Sequence, residues 1–317
     1  MKTLLSVITV FILTAGIACA EPTGRIFVTN EKSNTISVID SKTNQVETTM
    51  DIGKRPRGIG LAPDGSELYV AVSDENVIAV VDPKSLQVLR KFAAGSDPEA
   101  FAVHPNGDIY ISNEDDAKAT VINPKTGEQI SEIKVGLEPE GVAISPDGTR
   151  VIVTSESTNM LHVISIPEHN ILSNILVGVR PRSVTFSNNG ELAYTTAEIT
   201  GEVFKVDVVK GQIVKKGLFE DKNAKPKDVL LSRDEKTLYI AGGRANKVLV
   251  MNTDSMELVT GIPVGNRVWG LALSRDGSRL YTTDGLSGTV SVIDTEKNDV
   301  VETIKVGELP WGVVIDD

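Results

Sequence analysis

Two columns of this chain carry the residues most able to do chemistry, and both are set by a proline that recurs. It stands at Pro56, Pro98, Pro139, Pro181, Pro226 and Pro310, with Val268 in the gap, at spacings of 42, 41, 42, 45, 42 and 42. The residue before it is Arg55, Asp97, Glu138, Arg180, Lys225, Arg267 or Leu309. The residue after it is Arg57, Glu99, Glu140, Arg182, Lys227, Trp269 or Trp311. Together the columns hold seven basic and four acidic residues, a net of +3 on a chain whose formal charge is -11. Arginine recognises carboxylate or phosphate bidentately, and an indole offers a flat apolar face with one N–H donor. Arg55, Arg57, Arg180, Arg182, Lys225, Lys227, Arg267, Trp269 and Trp311 therefore form a candidate site for a small, planar anion. A structural reading competes with it. Arginines paired with Glu99, Glu138 and Glu140 across neighbouring units would give the same pattern, with the indoles capping the core, because structural ion pairs mimic sites.

A second constellation is acidic. Asp97, Glu99, Glu114, Asp115, Asp116, Glu138 and Glu140 are expected in one sector of the same face, where they would dock a basic partner or a cation. Nothing in their spacing resembles a calcium loop, so no metal is assigned. His104, His162 and His169 are placed apart by the repeat, which argues against a histidine metal site. No nucleophile elbow or phosphate loop is present, and no catalytic residue is assigned.

The elements that must hold these residues follow from the period. A turn signal runs in step with the proline: Pro63-Asp64-Gly65, Pro105-Asn106-Gly107, Pro146-Asp147-Gly148, Asn188-Asn189-Gly190, Arg233-Asp234-Glu235 and Arg275-Asp276-Gly277. Glycine supplies the positive φ of such turns, so the turn at Glu235 is expected to be built differently. Each unit contains four short runs rich in Val, Ile and Thr; in one unit they fall at 141–145, 151–155, 161–164 and 171–177. Four strands per unit of about 40–45 residues is the pattern of a β-propeller. The chain after residue 20 opens on a second-strand sequence, Arg25-Ile26-Phe27, and closes on a first-strand sequence, Trp311-Gly312-Val313. The fold class is therefore all-β: a seven-bladed propeller of four-stranded blades, its ring closed by the C-terminal strand pairing into the N-terminal blade. The five tyrosines, Tyr69, Tyr110, Tyr194, Tyr239 and Tyr281, share one repeat column with Phe27 and Ile152 and are expected as core wedges between blades.

Residues 1–20 read as a signal peptide: Lys2, an apolar run from Leu4 to Ile17, then Ala18-Cys19-Ala20. Cleavage after Ala20 implies a periplasmic or secreted protein; the alternative is a lipoprotein anchored through Cys19. The domain is then residues 21–317, with no transmembrane segment and, once Lys2 is gone, a charge of -12. That acidity argues against duplex DNA, and a single Cys excludes an intrachain disulfide and a Cys-based zinc site.

Phe27-Val28-Thr29-Asn30, followed by Val38-Ile39-Asp40, resembles the YVTN-type β-propeller repeat, with echoes at Tyr69-Val70-Ala71-Val72, Tyr110-Ile111-Ser112-Asn113, Tyr194-Thr195-Thr196 and Tyr281-Thr282-Thr283. The whole chain is similar to exported propellers associated with catabolism dependent on pyrroloquinoline quinone (PQQ), most closely at residues 24–31 and at Arg55-Pro56-Arg57-Gly58. The resemblance implies a pathway rather than an activity; the expectation set beside it is a non-enzymatic accessory protein that binds PQQ or a related anionic ligand, or docks a quinoprotein dehydrogenase or a transporter component. Two alternatives stand beside it. One is a lactonase-like hydrolase using Glu138, Glu140 and Arg182. The other is a single-strand nucleic-acid binder using Trp269, Trp311 and Arg267, since such binding needs stacking aromatics in a basic groove.

Overall fold

The structure is a computed structural model that describes residues 20–317; the expected signal peptide, apart from Ala20, and with it Cys19, lies outside the described residues. Val, Ile, Thr and Tyr fill the strands because a branched or aromatic side chain packs well on a pleated, buried surface. The strands assemble into seven antiparallel sheets of four. We number these blades by their position in the ring. Blade one joins residues 25–51 to 310–316, and blades two to seven span 56–93, 98–134, 139–176, 181–218, 229–263 and 268–305. The last strand, Pro310–Asp316, pairs with Arg25–Asn30 in the register Val28↔Val313, so the C-terminus supplies the innermost strand of blade one as expected.

The cores lie between blades. Tyr69 of blade two packs with Ile109 and Ile111 of blade three, and Tyr194 of blade five with Leu238 and Ile240 of blade six. All five tyrosines are buried, as are Phe27 and Ile152. The turn at Glu235 differs from expectation. Its N–H still donates to the Ser232 carbonyl, and Glu235 itself takes φ +60, so the turn keeps its shape with a side chain where the others have glycine.

One irregularity matters for the site. In blades one, two, three, four, five and seven the innermost strand slips register just after the proline column, as between Pro56 and Ile59. Such a bulge leaves residues unpaired and re-aims their side chains, here the residues that follow the proline. Blade six has no such slip, because its innermost strand is only Val229–Leu231.

Candidate functional site

The residue before the proline column takes a left-handed conformation in six blades: Arg55, Asp97, Glu138, Arg180, Arg267 and Leu309 have φ between +47 and +65. Each costs about 1–2 kcal/mol for a residue with a Cβ. Part of that cost is offset by side chains of the previous blade. The N–H groups of Arg55, Asp97, Arg180 and Arg267 donate to the side-chain carbonyls of Asn34, Asn76, Asn159 and Asn246. The two columns therefore ring one mouth of the central channel on a fixed backbone.

On one side of that mouth the arginines are paired. Arg55 reaches Asp97 at 2.7 Å and Glu99 at 3.1 Å. Arg57 bonds Glu99 and lies 3.1 Å from Glu31. Arg182 reaches Glu140 at 2.6 Å and also bonds Glu156, while Arg180 meets Glu156 at 2.5 Å and Glu198 at 3.6 Å. Glu138 meets no arginine among the described residues; it accepts from the Ser157 hydroxyl at 2.6 Å. Glu31, Glu156 and Glu198 went unnoticed in the sequence, although with Glu114 they too form a column, directly after the second strand of their blades. Four more carboxylates turn the net +3 of the two searched columns into -1. The cationic arc is neutralised where it is densest.

The acidic constellation splits. Asp97, Glu99 and Glu114 bring carboxylate oxygens within 4.8 Å of one another. Asp115 and Asp116 are exposed beside them, and Glu138 and Glu140 belong to the next blade. Burial first, and then the charge of Glu140, push Glu99 up to about 9 against the pull of Arg57. Burial opposes the charge of Arg57, but Glu99 and Glu31 outweigh it and hold that guanidinium protonated.

Across blades six, seven and one the mouth is sparse. The Lys227 ammonium and the Arg267 guanidinium lie 5.4 and 5.3 Å from the centre of the Trp269 ring, and Arg57 lies 5.8 Å from that of Trp311. Cations at that range are attracted by an indole face. Lys227 has Glu140 only at 3.9 Å, Lys225 donates to the Ile199 carbonyl at 3.1 Å, and Arg267 has no carboxylate partner among the described residues. Below the mouth lies a cavity of about 230 Å³, lined by Glu140, Arg182, Lys227, Trp269 and Trp311 from the searched columns.

The next residue round the ring was missed. One step past Arg57 and its equivalents the chain reads Gly58, Ala100, Gly141, Ser183, Asp228, Gly270 and Gly312. Small residues are required there by crowding: a Cβ on Gly58 would sit 2.8 Å from the Glu99 carbonyl oxygen, and one on Gly312 2.7 Å from that of Arg57. Blade six escapes this because its innermost strand starts late. Asp228 lines the cavity, accepts from Ser183 Oγ at 2.6 Å and from the N–H of Leu271 at 2.9 Å, and so laces blades five, six and seven. Burial pushes its carboxyl up, and no cation among the described residues pairs with it.

The histidines lie outside this site. His104 and His169 flank Tyr110, whose hydroxyl is 2.9 Å from His169 Nε2. His162 is buried elsewhere, its Nε2 accepting the Gly136 N–H at 2.9 Å and its Nδ1 2.6 Å from Asn174 Oδ1. No helix of the described residues is long and apolar enough to cross a membrane.

No protein-family model and no curated protein matches the chain. Solved structures do. A provisionally named 6-phosphogluconolactonase from Bacteroides fragilis superposes with a TM-score of 0.80 at 18% identity, over 93% of this chain and 99% of that one. A functionally unknown protein from Desulfotomaculum acetoxidans gives 0.80 at 16%, over 92% and 99%. Hydrazine synthase from Kuenenia stuttgartiensis gives 0.75 at 21%, over 81% and 88%. None of these three descriptions names PQQ-dependent catabolism. The expectation of a non-enzymatic protein is corrected to this extent: the fold gives it no ground, because the same fold occurs in structures described as a provisionally named lactonase and as a synthase. The chain is a seven-bladed β-propeller, and its likeness to these enzymes is a likeness of fold.

Proposed function

We propose that the channel mouth is the active site of a hydrolase acting on a small cyclic ester. The observation that carries this reading is Asp228: a carboxyl with no cation partner among the described residues, in a column otherwise made of Gly, Ala and Ser, facing a cavity. A carboxyl raised by burial is a better general base at neutral pH than an ordinary one. Glu138 and Glu140, the acid–base candidates of the sequence, fit this role less well, since Glu140 is held by Arg182 and Glu138 by Ser157.

In the reaction Asp228 takes a proton from water as the water oxygen bonds to the ester carbonyl carbon. The same proton passes to the ring oxygen as the carbon–oxygen bond breaks, which restores the carboxylate. Lys227 lies on the cavity wall to balance the charge that develops on the carbonyl oxygen. Ser183 and the Leu271 N–H hold the carboxyl in one orientation. The lactonase description of a structural neighbour agrees with this chemistry.

The test is turnover of a lactone panel by wild type and by Asp228→Asn, with far-ultraviolet circular dichroism as the folding control. The expected loss is about 10²–10⁴-fold in kcat/KM, the usual contribution of a general base. The acid limb of the wild-type profile should lie above the ordinary carboxylate range, because only the deprotonated form of a raised carboxyl acts as base. A folded Asp228→Asn with wild-type turnover would sink the reading.

A further inference from the structure

The cavity wall is divided by chemistry. Its charged and hydroxyl-bearing side chains, Glu140, Arg182, Ser183, Lys227 and Asp228, come from blades four to six. Beside the two indoles and the small residues of the next column, the rest of the wall is apolar: Ile59, Phe101, Val142, Leu271 and Val313, from five different blades. Phe101 is set into this wall by two glycines. A Cβ on Gly58 or on Gly60 would come within 3.3 or 3.1 Å of its ring.

A hydroxyl placed against these five side chains gives up its bonds to water and receives none in return. A methylene placed there leaves water for an apolar surface and gains. A polyhydroxylated ring has hydroxyls on every side and could satisfy only those facing the polar side chains of blades four to six. A ring or chain with one polar end and an apolar body satisfies both halves of the wall.

We infer that the pocket takes an amphiphilic substrate, an alkyl- or aryl-substituted lactone and its carboxylate product, in preference to a sugar lactone. This rests on the hydrolase reading for the word lactone, but the selectivity itself does not need turnover. The polar end lies toward Lys227 and Trp269 at the mouth, and the apolar body lies on Phe101 and its neighbours.

Titration calorimetry on the full chain separates the two claims, with hexanoate and gluconate as probes of similar charge and opposite body. Hexanoate is expected to bind at least tenfold more tightly than gluconate. Phe101→Ala should weaken hexanoate several-fold and leave gluconate unchanged. Val313→Thr, which keeps the side-chain volume and adds one hydroxyl, should act in the same direction if Phe101→Ala fails to fold. Gluconate bound as tightly as hexanoate overturns the inference, and so does binding of neither. Hexanoate bound tightly by a protein that hydrolyses neither δ-hexalactone nor gluconolactone supports the selectivity and overturns the hydrolase reading.

Discussion

Arg57 and Lys227 hold the same place in their repeats, one residue after the recurring proline, and meet different surroundings. Arg57 is buried between Glu99 and Glu31. Lys227 lies over an indole, and its only carboxylate partner among the described residues is 3.9 Å away. The contrast extends to whole sectors. Blades two to five contribute five arginine–carboxylate contacts of 3.1 Å or shorter between the mouth columns and their Glu and Asp partners, besides the two close contacts of Arg57 with Glu99 and Arg182 with Glu156. Blades six and seven contribute none among the described residues, and blade one contributes only Glu31, the partner of Arg57. One ring thus has a sector that spends its charge on itself and a sector whose charge is available. Buried pairs of the first kind are weak evidence for ligand binding, and breaking one leaves an uncompensated charge.

Removing an arginine from each sector tests this contrast most severely. Arg182→Ala strands Glu140 and Glu156 and should lower unfolding free energy by about 3–5 kcal/mol in a urea titration. Arg267→Ala should change it by no more than about 1 kcal/mol. Equal losses would erase the distinction between the sectors.

A smaller effect should be visible in pH. Glu99 is raised from its ordinary 4.5 to about 9. A raised carboxyl binds its proton more tightly in the folded chain, so its contribution is complete below 4.5 and is lost as pH climbs through about 9. The melting temperature should therefore decline across that window, and Glu99→Gln, which mimics the protonated acid, should flatten the decline. An unchanged slope would mean that the two arginines keep Glu99 ionised.

The smallest effect concerns His162, under the chain that leads from Gly136 to Glu140. Its Nε2 must be bare to accept the Gly136 N–H, and burial pushes its pKa down. No titratable neighbour contributes to that shift; the Asn174 amide alone opposes it. A depressed base contributes stability above its ordinary 6.5 that is lost as pH falls through the lower folded value. His162→Gln, whose amide oxygen can accept the same N–H, should remove an acid-side loss of about 1 kcal/mol. Identical acid unfolding of both proteins would show that the bond to Gly136 is not the sensitive one.

The repeat made the ring, the closing strand and the tyrosine wedges legible, because each is a column of residue types at a fixed period. The arginine pairs were legible only as one of two readings, since a column of charge does not say which column faces it. Glu31, Glu156 and Glu198 carried the same periodic signal, but they lie at the end of a different strand from the columns that were searched. The left-handed backbone at Arg55 and Arg180 was hidden by the general preference of a residue before proline for extended geometry. Asp228 stood at the one place where the period stretches to 45, where alignment of the columns gives least warning of a change of type. The expectation against catalysis drew in part on missing motifs, and the same fold occurs in structures described as enzymes.

The closing strand has a bearing on when the site can exist. Trp311 and Gly312 belong to the last strand of the chain, and the Gly312 N–H donates to Thr29 Oγ1, 283 positions earlier. Thr29 in turn donates to the carbonyl of Arg57 on the next blade. The mouth is therefore finished by the same event that shuts the ring. A chain whose final strand has not yet docked can have most of its blades in place and still lack one wall of its pocket. Ligand binding at this mouth would then report that folding is complete, and would draw the equilibrium toward the shut form by mass action.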